Sequence, residues 1–146
     1  MAAASVFVVD ASVAVKWFVP ELDRAEAIRL REDFVRGAVD LFAPDLLIYE
    51  VGNALRFHPK ATEAISAAGV RSLRTRQLVL EGVEDGVFDG AMGIARAEGI
   101  TFYDAIYLAL AEGRQAKMIT ADERLVRSLR EYRRRVLRLR EYARQG

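Results

Sequence analysis

Four carboxylates stand where an ordinary surface acid is not expected. Asp10 ends the apolar run "SVFVV", and Asp122 closely follows "AKMIT". Glu50 is embedded in "LLIYEVGNAL", and Asp104 lies at the start of the apolar stretch "TFYDAIYLAL". Clustered carboxylates repel one another and raise their own pKa values, and a divalent cation bound by oxygen ligands removes that penalty. If the fold brings these acids together, Mg²⁺ or Mn²⁺ is the expected cofactor.

The residue types that are missing narrow the chemistry further. The chain has no cysteine, and its one histidine is His58, which excludes thiolate metal sites and sites with several histidines. Neither G-x-x-x-x-G-K-[ST] nor G-x-G-x-x-G occurs, and no Ser-His or Cys-His nucleophile stands out. Oxygen-bound Mg²⁺ usually meets phosphate oxygens and can activate a water molecule. The composition therefore favours metal-assisted hydrolysis of phosphodiester bonds.

Helix capping is the alternative role for three of these acids. Thr101 and Asp104 have the spacing of a capping box before an apolar run. Asp10 can cap the helix that follows it, as can Ser12, and Asp122 can cap the helix that begins at "ERLVRSL".

Glu50 is harder to explain as a structural residue. A charge within an apolar helix is costly unless it is paired or binds a metal. Asn53 lies one helical turn on and can hydrogen-bond Glu50, and Arg56 can pair with it less directly. The four acids taken together favour a metal site over independent caps.

Short strands that alternate with helices must position these acids. The expected strands are "SVFVV", "LFAP", "LVLEGV", "AKMIT" and, at an edge, "RRVLRL". The expected helices are "ASVAVKWFV", "ELDRAEAIRLREDFVRG", the buried "DLLIYEVGNALRF", "KATEAISAAGVRSLRTRQ" despite Gly69, "FDGAMGIARAEG", the stretch from Thr101 to Gly113, and "DERLVRSLREY". This alternation predicts an α/β fold with a parallel sheet, in which ligands bind beyond the carboxyl ends of the strands.

The size and charge of the chain are those of one intracellular domain. Its 146 residues predict a single domain over 1–146. Asp10 and Lys16 interrupt the N-terminal apolar run, and no stretch approaches a membrane span, so a cytoplasmic protein with no membrane partner is expected. The net charge is +1, but residues 123–146 hold nine Arg and three Glu. That basic tail indicates either a nucleic-acid or partner surface, or a solvated helix face.

Four motifs in order resemble those of the PIN-domain nucleases, and most closely the VapC-type toxins of toxin–antitoxin pairs. They are "VVDASVAVKWF", "YEVGNAL", "TFYDAIYLALAE" and "MITADERL", and they cover nearly the whole chain. The resemblance implies a three-layer α/β/α sandwich with a short, mostly parallel sheet. It also implies a Mg²⁺- or Mn²⁺-dependent endoribonuclease that acts on RNA, forms a homodimer and is inhibited by a cognate antitoxin protein.

The resemblance also assigns roles to residues. Asp10, Glu50, Asp104 and Asp122 would be the catalytic acids that hold the metal, and Glu123 is a weaker candidate for a further acid. The supporting residues that would orient ligands or substrate are Ser12, Asn53 and Thr120. Separately from the resemblance, the positive charge of the tail indicates that Arg133, Arg134 and Arg135 hold the RNA backbone, unless "RRVLRLRE" is only an edge strand guarded by charge. Residues 59–90 correspond only by position to the family's dimer and antitoxin contacts.

Two other functions remain open from the sequence. The chain can be an RNA- or protein-binding module with the same acids and no turnover. It can also be a phosphoacceptor or phosphatase that uses Asp10, although "DAS" lacks the second aspartate of a D-x-D motif. Lys16, Lys60 and Lys117 are not placed to assist a receiver-type site.

Overall fold

In the part of the chain that the structure describes, five strands form one sheet in the order β3-β2-β1-β4-β5, and every neighbouring pair is parallel. The computed structural model describes residues 4–144, without the side chains of residues 76, 77, 143 and 144. The predicted domain of 1–146 therefore extends beyond the described residues at both ends. The strands are β1 (Ser5–Val9), β2 (Val39–Pro44), β3 (Val79–Glu81), β4 (Lys117–Thr120) and β5 (Val136–Arg138). All five strands lie where the sequence predicts them, and β5 is an edge strand as expected.

Helices connect the strands. They are α1 (Ala11–Ala14), α2 (Arg24–Val35), α3 (Leu46–Phe57), α4 (Glu63–Ser72), α5 (Asp85–Glu98), α6 (Phe102–Gly113) and α7 (Glu123–Ser128). Short 3-10 segments cover Val15–Trp17, Glu131–Arg135 and Leu139–Arg144, and a π-helical turn covers Leu73–Gln77. None of the helices within residues 4–144 has both the length and the apolar character needed to cross a membrane.

The central strand shows that helices cover both faces of the sheet. Phe7, Val8 and Val9 are consecutive residues of β1, and all three are buried. Because successive side chains of a strand point to opposite faces, burial of all three requires cover on each side. This is the α/β arrangement that the alternating elements predict.

The chain leaves the centre of the sheet in two directions, which creates a crevice at one edge. β1 pairs with β2 on one side and with β4 on the other. The strand order therefore reverses between β1 and β4, and ligands bind at the carboxyl ends of strands at such a reversal. Asp10 directly follows β1, and its backbone N–H donates to the Ile119 carbonyl at 3.4 Å. We call this side of the sheet the carboxyl edge, and the opposite side the amino edge.

Helix α3 differs from its prediction as a buried helix. Leu47, Val51 and Leu55 are buried, whereas Tyr49 and Phe57 are each 72% exposed. The helix is amphipathic because only one of its faces packs on the sheet and the neighbouring helices.

Helices α2 and α4 each begin three residues later than predicted, and two further helix boundaries also differ. Helix α5 begins at Asp85, three residues before the predicted start at Phe88. Helix α7 ends at Ser128 instead of continuing to Tyr132. The buried carboxylate of Glu98 accepts hydrogen bonds from the backbone N–H groups of Arg130 (2.6 Å) and Glu131 (3.0 Å). These N–H groups are satisfied by a distant residue, so the helix does not need to continue.

Gly69 lies inside α4 for a packing reason. A Cβ atom at this position would lie 3.1 Å from the Phe18 ring and 3.3 Å from the Leu55 side chain. Glycine lowers the intrinsic stability of the helix, but a larger residue here would push α4 away from these neighbours.

Candidate metal and active site

Asp10 is the most enclosed of the four acids, with 5% of its surface exposed. The Ser12 hydroxyl donates to its Oδ1 at 2.6 Å, and the Thr120 hydroxyl donates to its Oδ2. The Val13 backbone N–H also donates to Oδ1, at 3.3 Å, so Asp10 caps α1 as well. The capping role and a place in a site are therefore compatible for this residue.

Burial raises the pKa of Asp10 to about 7. The hydrogen bonds from Ser12, Thr120 and Val13 oppose this rise, and the negative charge of Asp104 adds to it. The ionised form is thus unfavourable at this position, and a nearby cation would favour it. The Asp10 carboxylate fits a cation site in its charge and its donor atoms.

Ser12 and Thr120 connect Asp10 to the chain segment that holds Asp122. The Ser12 hydroxyl accepts a hydrogen bond from the Ala121 backbone N–H at 2.8 Å. The Thr120 hydroxyl accepts one from the Asp122 backbone N–H at 3.1 Å. Each hydroxyl therefore donates to Asp10 and accepts from the loop after β4, and this fixes the relative positions of the two strand ends.

Glu50 is held by a residue that the sequence does not single out. The Tyr107 hydroxyl donates to Glu50 Oε1 at 2.6 Å, and Tyr107 is 1% exposed. Tyr107 follows Asp104 by three positions, on the same helix. The available signal was a tyrosine in an apolar run, because a buried tyrosine hydroxyl requires a partner.

The partners expected for Glu50 lie elsewhere. Asn53 is on the exposed side of α3, and the Arg56 guanidinium lies 4.8 Å from the centre of the Phe57 ring. Within the described side chains, neither residue hydrogen-bonds Glu50. Glu50 lies at the border of the buried face of α3, where the Tyr107 side chain reaches it from α6.

Asp104 is coupled electrostatically to the other three acids. Burial raises the pKa of Asp104, and the charge of Asp122 adds to this rise, while a hydrogen bond from Thr101 opposes it. Burial also raises the pKa of Glu50, and the charge of Asp104 adds to that rise against the Tyr107 hydrogen bond. Asp104 likewise contributes to the raised pKa of Asp10. The fold therefore brings the four predicted acids close enough to repel one another.

Two of these acids are also found at the helix starts where capping was expected. The Asp104 backbone N–H donates to the Thr101 hydroxyl at 3.1 Å, so Thr101 is the N-cap of α6. Among the described residues, the Asp104 side chain does not return a hydrogen bond to the Thr101 backbone. Asp122 caps α7 by accepting from the Leu125 backbone N–H at 3.1 Å. Capping thus accounts for Asp122 better than for the carboxylate of Asp104.

The acids do not surround a single point. Within residues 4–144, no three His, Cys, Asp or Glu side chains are placed so that they could share one metal ion. The donor set is nevertheless all oxygen and negatively charged, which suits Mg²⁺ or Mn²⁺. The residues therefore fit a divalent ion in their chemistry and in their common location, although their side chains are not arranged as a finished coordination shell.

Glu123, the weaker candidate, is paired with arginines. Its carboxylate accepts from Arg138 Nε at 3.0 and 3.1 Å, and Arg140 lies 3.3 Å away. The hydrogen bond from Arg138 is the main cause that holds the pKa of Glu123 below its usual value. Glu123 thus already has cationic partners, unlike Asp10.

The arginines predicted to hold RNA lie towards the amino edge. Arg133 Nη1 donates to the Val136 carbonyl at 2.8 Å, and Arg135 Nη1 donates to the Ala116 carbonyl at 3.1 Å. Arg134 is exposed, and its guanidinium lies 6.0 Å from the centre of the Tyr132 ring. These residues precede β5, whereas the acids lie at and beyond the carboxyl ends of the strands.

Comparisons with known proteins relate the chain to one family of nucleases. A family model described as PIN domain matches residues 7–130. Ribonuclease VapC3 of Pyrobaculum aerophilum is 33% identical over 123 residues, which cover 81% of this chain and 90% of VapC3. Exonuclease VapC9 of the same organism is 35% identical over 81 residues, or 56% of this chain. That second match spans 61% of VapC9, which is less than two thirds of its length.

Solved structures share the fold. The protein PAE2754 from Pyrobaculum aerophilum has a TM-score of 0.65 and 25% identity, with 97% of this chain and 95% of that chain covered. A toxin–antitoxin complex from Klebsiella pneumoniae contains a chain with a TM-score of 0.61 and 15% identity. That match covers 82% of this chain and 87% of the other, and at this identity it shows the fold alone.

Proposed function

Because this chain belongs to the PIN-domain family, we propose that it is a nuclease toxin of a toxin–antitoxin pair. We propose further that it is a Mg²⁺- or Mn²⁺-dependent endoribonuclease, which hydrolyses RNA phosphodiester bonds with residues 1–146 as one domain. The observation that carries this proposal is the common location of four acids at one edge of the sheet, where the charge of Asp104 acts on Asp10 and Glu50 and the charge of Asp122 acts on Asp104. RNA in the cytoplasm is the proposed substrate.

The four acids have the role of metal ligands in this proposal. Asp10, Glu50, Asp104 and Asp122 would hold one or more divalent ions. The chemistry that a bound ion supplies is activation of a water molecule and neutralisation of the phosphate under attack.

The residues around the acids determine their orientation. Ser12 and Thr120 hold both oxygens of Asp10, so this carboxylate cannot rotate freely when substrate arrives. Tyr107 fixes one oxygen of Glu50 and leaves the other for a ligand. Asn53 is exposed on α3, one turn beyond Glu50, and its proposed role is to contact substrate.

The proposed partners are a cognate antitoxin and a second copy of the chain. Relatives of this chain carry the name VapC, and a structural neighbour was solved as a toxin–antitoxin complex. Tyr49 and Phe57 on α3 are large apolar side chains exposed to 72% each, which supports a protein partner on this helix.

An RNA cleavage assay tests the proposal. The purified chain is incubated with end-labelled RNA in EDTA, in Mg²⁺ and in Mn²⁺, together with Asp104→Asn and the exposed control Asp89→Asn. We expect cleavage by the parent and by the control with metal only, and a loss of at least about 100-fold in Asp104→Asn. Cleavage in EDTA, or full cleavage by Asp104→Asn, would contradict the proposal.

A binding module without turnover is the second candidate. It is favoured by the absence, among residues 4–144, of three acids placed around one point. RNA binding by the parent with no cleavage product in either metal would support this candidate.

A further inference from the structure

Arg138 is the last residue of β5, and its backbone is in register with Thr120 of β4. Thr120 donates its hydroxyl hydrogen bond to Asp10. Because β4 and β5 are parallel, residues in register lie at the same distance along the sheet. Arg138 therefore lies at the carboxyl edge, one strand away from a residue that contacts Asp10.

Two carboxylates fix the Arg138 guanidinium. Its Nε donates to both oxygens of Glu123, at 3.0 and 3.1 Å, and its Nη1 donates to Glu141 Oε1 at 3.3 Å. A guanidinium has five N–H donors, and these contacts use two of them. Arg138 is thus oriented by the protein and still has donors to offer to a ligand.

Arg140 provides a second positive charge next to the first. Its guanidinium lies 3.3 Å from Glu123 Oε1, and its side chain is 56% exposed. Glu123 directly follows Asp122, so both arginines are tied to the segment that carries one of the four acids. The pair therefore lies beside the segment that carries Asp122, with Arg140 open to solvent and Arg138 22% exposed.

The phosphates of RNA are negatively charged, and they would approach the carboxyl edge, where the four acids are also negatively charged. Fixed positive side chains at the border of such a site offset the repulsion and provide most of the affinity for the backbone. Arginine suits this task because its planar group can bind two phosphate oxygens at once. We infer that Arg138 and Arg140 form the subsite that holds a backbone phosphate of RNA beside the four acids.

This inference rests on the proposed ribonuclease function and refines it. It moves the main phosphate contact from Arg133, Arg134 and Arg135 to the other end of β5. Two of those three residues donate to backbone carbonyls, at Val136 and Ala116. The exposed Arg134 therefore serves as a matched control: it is an arginine of the same basic segment, located on the side away from the acids.

A binding experiment in EDTA separates this subsite from catalysis. Anisotropy of a fluorescein-labelled single-stranded RNA of mixed sequence gives the Kd of the full chain across a salt series. The variants are Arg138→Gln, Arg140→Gln, the double variant, Arg138→Lys and the control Arg134→Gln. Each lost phosphate contact is expected to weaken binding by roughly tenfold at low salt and to lower the salt slope by about 0.7. Arg134→Gln should bind as the parent does.

Arg138→Lys separates the effect of the lost charge from the effect of the lost guanidinium geometry. Lysine keeps the charge, so this variant should retain most of the salt slope that Arg138→Gln loses. The inference is overturned if the double variant binds as tightly as the parent, or if Arg138→Lys loses as much slope as Arg138→Gln. It is also overturned if the parent does not bind the RNA.

The cleavage assay shows which proposal has failed. If the parent cleaves RNA with metal but the double variant binds RNA as tightly as the parent, the proposed ribonuclease function stands and the proposed subsite fails. If the parent neither cleaves nor binds RNA, the proposed function itself fails.

Discussion

Tyr107 on α6 donates its hydroxyl hydrogen bond to Glu50 on α3, at 2.6 Å and across 57 positions of sequence. Burial, together with the charge of Glu50, raises the pKa of Tyr107, so the phenol remains a donor at any physiological pH. The contact links the second and third acidic motifs of the chain. It also fixes the orientation of the half-buried Glu50 carboxylate through one of its two oxygens.

Tyr107→Phe should weaken metal binding without removing an acid. The ring stays in its buried position, but Glu50 loses the donor that orients it, and such supporting contacts contribute about 10–100-fold to metal affinity. Titration calorimetry with Mn²⁺ measures the effect, and the exposed Tyr103→Phe on the same helix is the control. Unchanged Mn²⁺ affinity in Tyr107→Phe would show that the hydrogen bond serves only to satisfy a buried hydroxyl.

Asp10 should make the metal-free protein less stable as the pH rises. Its pKa is about 7 in the folded state and 3.8 as an ordinary aspartate. Between these values the folded state binds more protons than the unfolded state, so the free energy of unfolding falls as the pH increases. In EDTA, Asp10→Asn should therefore gain stability over the parent by roughly 1–3 kcal/mol on going from pH 4 to pH 7.5.

Urea denaturation of the parent and Asp10→Asn at both pH values measures this difference. The advantage of Asp10→Asn over the parent in free energy of unfolding should grow as the pH rises. An advantage that stays constant or shrinks would contradict a raised pKa of Asp10. Asp89→Asn, at an exposed position of α5, is the control for the loss of a surface carboxylate.

Thr120→Val should impair catalysis more than folding. The substitution keeps the shape of a fully buried side chain but removes the donor to Asp10 and the acceptor for the Asp122 backbone N–H. We expect about a 10–100-fold loss of kcat/KM for RNA, with a stability loss of about 1–3 kcal/mol. Thr75→Val, at an exposed position of the segment after α4, is the control. A normal kcat/KM in Thr120→Val would remove this residue from the site.

A circular RNA should be cleaved as readily as a linear one. The relatives bear the names ribonuclease and exonuclease, and these names differ in whether a free RNA end is required. An endonuclease needs no end, so circular RNA incubated with the parent and Mn²⁺ should give a linear product on a denaturing gel. Degradation of linear RNA alone would identify an exonuclease and correct the proposed cleavage mode.

Two glycines should respond in opposite directions to alanine. Gly69→Ala places a Cβ at 3.1 Å from the Phe18 ring and should destabilise the protein by about 1–3 kcal/mol. Gly93 lies in the interior of α5, where a Cβ would meet open space among the described residues, so Gly93→Ala should stabilise by up to about 1 kcal/mol. Urea denaturation of both variants measures the two changes. Equal effects in the two variants would show that packing against Phe18 is not the reason for Gly69.

The sequence predicts the sheet well because its strands are short apolar runs bounded by turns and helices. It also predicts that Asp10 and Asp122 share an edge, since both follow strands whose carboxyl ends must align in a parallel sheet. The helices are predicted in place, but the end of α7 is not. That end depends on Glu98, which lies more than 30 positions from the backbone it contacts.

The support of the site is less visible in the sequence than its acids. The Tyr107–Glu50 contact depends on how α3 and α6 are placed relative to each other, and no local sequence pattern predicts that placement. The role of Arg138 depends in the same way on the register of β5 with β4. Asn53 was the partner of Glu50 expected from helical spacing, with Arg56 a less direct one, but both are on the exposed side of α3.

Heat denaturation with EDTA and with Mn²⁺ is the most direct test of the central claim, which is that these acids together hold a divalent ion. An ion that binds only the folded state raises the midpoint by mass action. We expect Mn²⁺ to raise the denaturation midpoint of the parent and of Asp89→Asn. The midpoint of Asp104→Asn should be the same in Mn²⁺ and in EDTA. A parent midpoint that does not move at millimolar Mn²⁺, or an equal rise in Asp104→Asn, would contradict the claim.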